Sequence, residues 1–313
     1  MDKSFFTFFK PKLFLYLSEN NFTAKFLSNL KNIATMTVHK LLTFLFIFIS
    51  AITSACSQSE ITGNSESILN KKIAEIQGQN LKSDSLVLTV GKSFIGTPYV
   101  SQTLERPKEI LVVNLEELDC TTYLETVLAI SNTVKSESSS IKTYESELTK
   151  IRYRSGQLAG YSSRLHYFTD WLIDNEKKGT LRILSDNYGE KYDKEINFMS
   201  THADAYEGLK SESDLEDIRK AENLLNSQEI YFIPKEKLSE IESNIKSGDI
   251  LGFTTHITGL DVSHVGFAIV INKQVHVMHA SLKNGVIISD KTLAEFIAPD
   301  RYTGIMLARP INQ

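Results

Sequence analysis

Only two residues, Asn272-Lys273, separate two segments with strand-like composition, His264–Ile271 and Gln274–Ala280. A connection that short requires an antiparallel hairpin, because a parallel pair needs a crossover of a dozen residues or more. In a two-residue hairpin Ile271 faces Gln274, and facing positions along both strands sum to 545. His279 then falls opposite Gly266, and His264 opposite Ser281. Alternate strand positions share a face, so His264, Gly266, His279 and Ser281 all point the same way. His264 and His279 become diagonal neighbours within side-chain reach, and Gly266 leaves room between them. His276 points to the opposite face. A slip of one residue would reverse that choice of histidine.

The rest of the chain divides into a helical first part and a β second part. Apolar residues three and four apart predict helices over Ile68–Ile76, Ser85–Ile95, Cys120 to about Asn132, Lys142–Tyr153, Ser163–Lys177 and Lys235–Ile245. Residues 110–115 read as a strand. Five further strand candidates follow: Ile250–Thr255, His264–Ile271, Gln274–Ala280, Val286–Ile288 and Gly304–Arg309. Helices first and an antiparallel sheet second make the fold class α+β. There is no internal repeat.

The N-terminus reads as targeting sequence. From Met36 a short basic stretch precedes the apolar run Leu41–Thr53, which ends in Ser54-Ala55-Cys56. That run is too short for an ordinary membrane-spanning helix but suits a signal peptide. Its ending resembles a bacterial lipoprotein signal, with Cys56 lipidated as the first mature residue; a plain secretory signal is the alternative. The expected organisation is an upstream extension over 1–35 (a start assigned too early), the signal over 36–56, a polar tether over 57–66, and one domain over 67–313. The expected location is the periplasmic side of a bacterial envelope, with a membrane lipid anchor. Residues 1–55 carry six Lys and two acids, so the chain's −4 becomes −8 once they are removed. An acidic balance argues against nucleic acid as a partner.

Cys120 has no disulfide partner in view, since Cys56 is the chain's other cysteine. It follows Asp119, a residue suited to cap the helix that begins there. Helix N-termini favour a thiolate. A lone cysteine with distant histidines is the pattern of a cysteine-nucleophile hydrolase. In that reading Cys120 attacks, His264 is base and then acid, and His279 orients His264. The backbone N–H of Cys120 would help to hold the oxyanion. The alternatives are an inert buried thiol, or a Cys-His-His zinc site without an evident fourth ligand. No metal or organic cofactor is expected.

The segments Asp119-Cys120-Thr121, His264-Val265-Gly266-Phe267 and Met278-His279-Ala280-Ser281, preceded by Gly96-Thr97-Pro98-Tyr99, resemble the NlpC/P60 superfamily of papain-like cysteine hydrolases. Thr121 stands where that superfamily usually has Ser. Ile151–Gly156, Gly160–Trp171, Phe198–His202 and Leu260–Gly266 resemble one branch, the N-acetylmuramoyl-L-alanine amidase-like proteins, over most of residues 65–311. The resemblance implies a papain-like fold, with the cysteine helix packed on an antiparallel sheet or barrel and a helical insertion over about 135–232. It implies cleavage of the amide between muramic acid and L-alanine in peptidoglycan fragments. A monomer is expected, although the sequence does not show the oligomeric state. Within the same resemblance, Tyr153, Arg154, Arg164 and Tyr167 become candidates to bind stem-peptide carboxylates or glycan, an arginine being suited to a carboxylate. Tyr99 and Asp119 become candidates to hold a free L-alanine amine. That last role would favour an endopeptidase cutting within the stem peptide after D-glutamate. A lipoprotein that binds wall fragments without turnover is the third reading.

Overall fold

The computed structural model describes residues 59–311, apart from Asn80 and Lys82. The upstream extension, the signal-type segment and Cys56 lie outside the described residues. No helix among the described residues is long and apolar enough to cross a membrane.

In chain order the elements are β1 (Ser59–Ile61), α1 (Ser65–Gln77), α2 (Ser83–Lys92), β2 (Leu111–Val113), α3 (Cys120–Lys135), α4 (Ile141–Arg152), α5 (Phe168–Lys177), β3 (Leu181–Ile183), β4 (Glu190–Lys191), α6 (Glu212–Asn226), β5 (Tyr231–Pro234), β6 (Ile250–Thr255), β7 (Val262–Ile271), β8 (Gln274–Ser281), β9 (Gly285–Thr292), α7 (Leu293–Ile297) and β10 (Tyr302–Pro310), with single-turn helices between some of them. The hairpin forms as its short connection requires. Asn272 and Lys273 both take positive φ, 49° and 68°, the geometry of a type I′ turn. Ile271 pairs with Gln274, and the ladder holds that register to Phe267 and Met278.

The main sheet has eight strands in the order β4-β5-β10-β6-β7-β8-β9, with β3 also on β10. Every pairing in it is antiparallel. Strand alternation splits the interior into two cores. Ile250, Val265, Phe267, Met278 and Met306 face the helices, packing with Tyr123, Leu124 and Val127 of α3. Leu251, Phe253, Ala268, Val277 and Leu307 face a smaller core closed by Leu293 and Ile297 of α7. This is the mixed helix-and-antiparallel-sheet architecture expected.

Three expectations need revision. Residues 59–66 are not a tether: β1 pairs in parallel with β2, and α1 starts at Ser65. The Glu60 carboxylate also pairs with Arg106 at 2.7 Å, tying the segment to the domain. The segment over 135–232 is not purely helical, because it supplies β3, β4 and β5 to the sheet. The helix predicted from Ser163 starts only at Phe168. Arg164 instead forms an isolated bridge with Tyr153, and Tyr167 is extended at φ −89°, ψ 137°. Buried Leu165 and Tyr167 gave that stretch an apolar spacing that imitated a helix.

Candidate active site

Cys120 is the first residue of α3, as expected, and the cause is local. The Asp119 carboxylate accepts the Thr122 N–H at 2.7 Å, while Thr122 Oγ1 accepts the Asp119 N–H at 2.9 Å. This reciprocal capping box fixes the helix start and therefore the place of the thiol. Asp119→Ala is expected to cost about 1 kcal/mol of stability, and Asp119→Asn only a few tenths, because asparagine caps as well as aspartate. Denaturant titration of the two variants checks this; equal losses would show that the carboxylate acts by charge rather than as a cap.

The segment before the helix is tied down from both sides. Leu118 N–H donates to Pro98 O at 3.0 Å, and Val286 N–H of β9 donates to Thr97 O at 2.9 Å. These bonds hold Tyr99 beside the helix start, close enough for Cys120 and Asp119 to affect its ionisation. Burial, and then those two neighbours, push the Tyr99 phenol up to about 12.

The histidines meet as the hairpin register predicted: His264 Nε2 and His279 Nδ1 lie 2.7 Å apart in a hydrogen bond. The rings are nearly perpendicular, with centroids 4.8 Å apart. His276 instead bonds Ser289 O at 3.0 Å, away from the pair. Phe296 packs on both rings, and Phe253 stacks on His264. Removal of water by this aromatic wall disfavours the imidazolium. Burial, the proximity of His279 and the charge of Arg301 hold His264 down to about 3. Burial alone holds His279 to about 4.

The start of β7 is anchored by Asp261, whose buried carboxylate accepts Thr169 N–H at 2.7 Å and Thr169 Oγ1–H at 2.8 Å from α5. Just beyond it, Phe253 pairs with His264 while Thr254 pairs with Val262, so Ser263 is an extra residue in the ladder. A bulge of this kind re-aims the next side chain. Gly266 is also required where it stands. A Cβ there would lie 2.9 Å from Met278 O and 3.0 Å from His279 Cβ. Gly266→Ala is expected to push His279 aside and to lower kcat on the order of 100-fold, the cost of roughly 1 Å of misplacement. Full activity in that variant would show that the His279 position is not critical.

The N–H of Val265, the residue next to His264, lies close enough to the Cys120 sulfur to favour its thiolate. Thr121 Oγ1 and the cysteine's own N–H also favour the thiolate, but burial and the adjacent Asp119 outweigh them, and the thiol is pushed up to about 12. The expected acidic thiol is thus corrected. Burial costs the anion more than the helix N-terminus returns. Among the described residues no cluster of three or more His, Cys, Asp or Glu is arranged to hold a metal ion, so the zinc alternative finds no donor set.

A cleft of about 690 Å³ opens over the histidine pair, lined among others by Tyr99, Ser263, Phe296, Arg301 and Tyr302. Of the residues expected to bind substrate, Tyr99 lines it and Asp119 caps the helix beside it. The other four do not line it. Tyr153 is fully buried and donates to Glu109 at 2.9 Å. Arg164 is buried and ion-paired with Glu105 at 2.7 Å. Arg154 forms a two-pronged pair with Asp170 at 2.8 and 2.6 Å. Tyr167 donates to Glu222 and accepts the Met199 N–H, both at 2.7 Å. Their distinctive sequence context reflects a buried polar network that braces the helical half, and their charges are already compensated.

A family profile described as N-acetylmuramoyl-L-alanine amidase-like matches residues 89–305, which include Cys120, both histidines and the cleft. The chain belongs to this family. It is similar to the crystal structure of an N-acetylmuramoyl-L-alanine amidase from Bacteroides uniformis, with 34% identity over 73% of this chain and 99% of that one, at a TM-score of 0.67. A protein from Bacteroides fragilis described as a candidate xylanase is 36% identical over 71% of this chain and 99% of that one, at a TM-score of 0.65. A Legionella pneumophila protein shares the fold at 20% identity, over 79% of this chain and 97% of that one, with a TM-score of 0.58. No curated protein sequence matches the chain.

Within this family frame, sequence reading missed Phe296, Arg301 and Tyr302. They come from α7, the turn before β10 and the start of β10, beyond the hairpin and β9, and no local pattern marks them. Packing of α7 on β8 and β9, with the pairing of β10 on β6, brings them to the histidines.

Proposed function

We propose that the chain is a cysteine amidase that hydrolyses the bond between the muramic acid lactyl carbonyl and the L-alanine nitrogen of peptidoglycan fragments. The observation that carries this reading is the 2.7 Å His264–His279 bond beside the Val265 N–H that reaches the Cys120 sulfur. With His264 Nε2 engaged by His279, Nδ1 is the nitrogen left for the thiol. It is basic only in the tautomer in which Nε2–H donates to His279.

In this mechanism Cys120 passes its proton to His264 Nδ1 as Sγ bonds to the lactyl carbonyl carbon. The oxyanion is held by the backbone N–H groups around the sulfur. Collapse breaks the C–N bond, and imidazolium His264 returns the proton to the leaving L-alanine nitrogen. Water, activated by the same imidazole, then cleaves the thioester and frees the thiol. A glycosidase reading, suggested by the description of the Bacteroides fragilis relative, does not fit this cleft: glycoside hydrolysis takes two facing carboxylates, whereas Asp290 is the one acid lining it.

Tyr99 and Asp119 beside Cys120 favour one second reading, an endopeptidase in which they hold a free amine. Products separate the two. Mass spectrometry of a defined muropeptide is expected to show a stem peptide beginning with L-alanine and a peptide-free sugar. Sugar still bearing L-Ala-D-Glu would replace the amidase by the endopeptidase. We also propose that residues 36–56 export the chain and that Cys56 is lipidated. Metabolic labelling with a fatty acid, lost in Cys56→Ala, checks that point.

A further inference from the structure

We propose that Arg301 is the carboxylate anchor of the cleft, binding the free α-carboxylate of the second stem residue, the residue after L-alanine on the leaving-peptide side of the scissile amide. This rests on the amidase reading and names its specificity contact.

Three observations converge on Arg301. It lines the same cleft as His264 and His279. Among the described residues six arginines form ion pairs with carboxylates, leaving Arg182 and Arg301, and Arg182 does not line the cleft. Its guanidinium carbon lies 4.6 Å from the centre of the Tyr302 ring, and it also hydrogen-bonds that tyrosine; these contacts hold the group in place and leave the rest of its five N–H donors for a ligand. The wider lining agrees. Lys283, Lys291 and Arg301 face Asp290 as the one acid, a local balance of +2 on a chain of −4. Lys291 and Asp290 reach the cleft because β9 leaves its ladder there: His276 pairs with Thr292 and Met278 with Ile288, so residues 289–291 bulge out. An acidic protein that concentrates positive charge beside its reacting groups is built for an anionic substrate.

The substrate class supplies the anion. In a stem peptide whose second residue is linked through its side-chain carboxyl, the α-carboxylate stays free next to L-alanine. A planar guanidinium can take that carboxylate through two parallel hydrogen bonds. The positive charge also disfavours imidazolium at His264, and a bound carboxylate would relieve this as His264 takes the thiol proton.

The test compares two muropeptides that differ only in that carboxylate, free or amidated, with wild type, Arg301→Gln and Arg301→Lys. Wild type is expected to lose about 10- to 100-fold in kcat/KM on the amidated substrate, the range for one charged hydrogen-bonded pair. Arg301→Gln should cleave both substrates at the same reduced rate, and Arg301→Lys should recover part of the preference. Equal rates of wild type on both substrates, or an undiminished preference in Arg301→Gln, overturns the proposal while leaving the amidase reading intact. If wild type cleaves neither, that reading falls first. Calorimetric binding of the free and amidated stem peptides to Cys120→Ala then reads the anchor by itself, and equal affinity overturns it.

Discussion

Replacing Cys120 by alanine is expected to abolish turnover, by at least about 10⁴-fold in kcat, while leaving folding and muropeptide binding close to wild type. The loss is large because no second thiol is at hand. Cys120 is the free cysteine of the described residues, and the hydroxyls of Tyr99, Ser263, Ser281, Ser289 and Tyr302 and the amines of Lys283 and Lys291 on the cleft lining are poorer nucleophiles than a thiol. Folding should survive because Asp119 and Thr122 cap α3 without using the sulfur. His264→Ala should cost nearly as much, since the two groups move one proton between them. The check is single-turnover kinetics beside a binding isotherm. Residual turnover within about 100-fold of wild type would remove Cys120 from the nucleophile role and return it to a buried structural thiol.

The ionisation of the pair makes this reading sharper. A thiol pushed up to about 12 and imidazoles held to about 3 and 4 describe a resting site that is neutral, not a thiolate–imidazolium pair. Cys120 should therefore react with iodoacetamide at pH 7 more slowly than a free cysteine, and its rate should climb with pH beyond the ordinary thiol range. The imidazole must be neutral to accept the proton. Because its folded value lies below the usual 6.5, that form persists as pH falls, and activity should hold at pH 5. An acid limb in kcat/KM centred near 6.5 would show that the aromatic wall does not exclude water as its packing implies.

The sequence carried the parts of this site that rest on short-range rules. A two-residue connection dictates a register, and the register chose His279 over His276. An aspartate before an apolar helix dictates a cap, and the cap placed Cys120. What could not be read is set by the ladder irregularities at Ser263 and at residues 289–291, which depend on pairing between strands distant in sequence. Arg301 was invisible for the same reason. The arginines that looked distinctive, Arg154 and Arg164, have carboxylate partners as far as 59 residues away, which no local pattern reports. The thiol acidity was misjudged because a helix N-terminus is legible in sequence and desolvation is not.

Glu125→Ala is expected to destabilise the fold by about 3–5 kcal/mol, the cost of leaving a buried charge without its partner. Glu125 lies in α3, five positions after Cys120, and is almost fully buried. Its carboxylate accepts Arg152 Nε–H at 2.7 Å, and Arg152 in turn donates to Val112 O at 2.8 Å. Burial works against the Arg152 charge, but Glu125, Tyr153 and Tyr144 together more than offset it and keep the guanidinium protonated. One ion pair thus ties the cysteine helix to α4 and to β2. Removing Glu125 alone strands the guanidinium among apolar neighbours. Replacing both, as Glu125→Leu with Arg152→Met, removes the stranded charge and should recover most of the loss, though Val112 O then lacks its donor. Urea denaturation of the single and double variants measures the difference. A single variant within about 1 kcal/mol of wild type would mean that water reaches Arg152 and that the two helices are held by apolar packing alone.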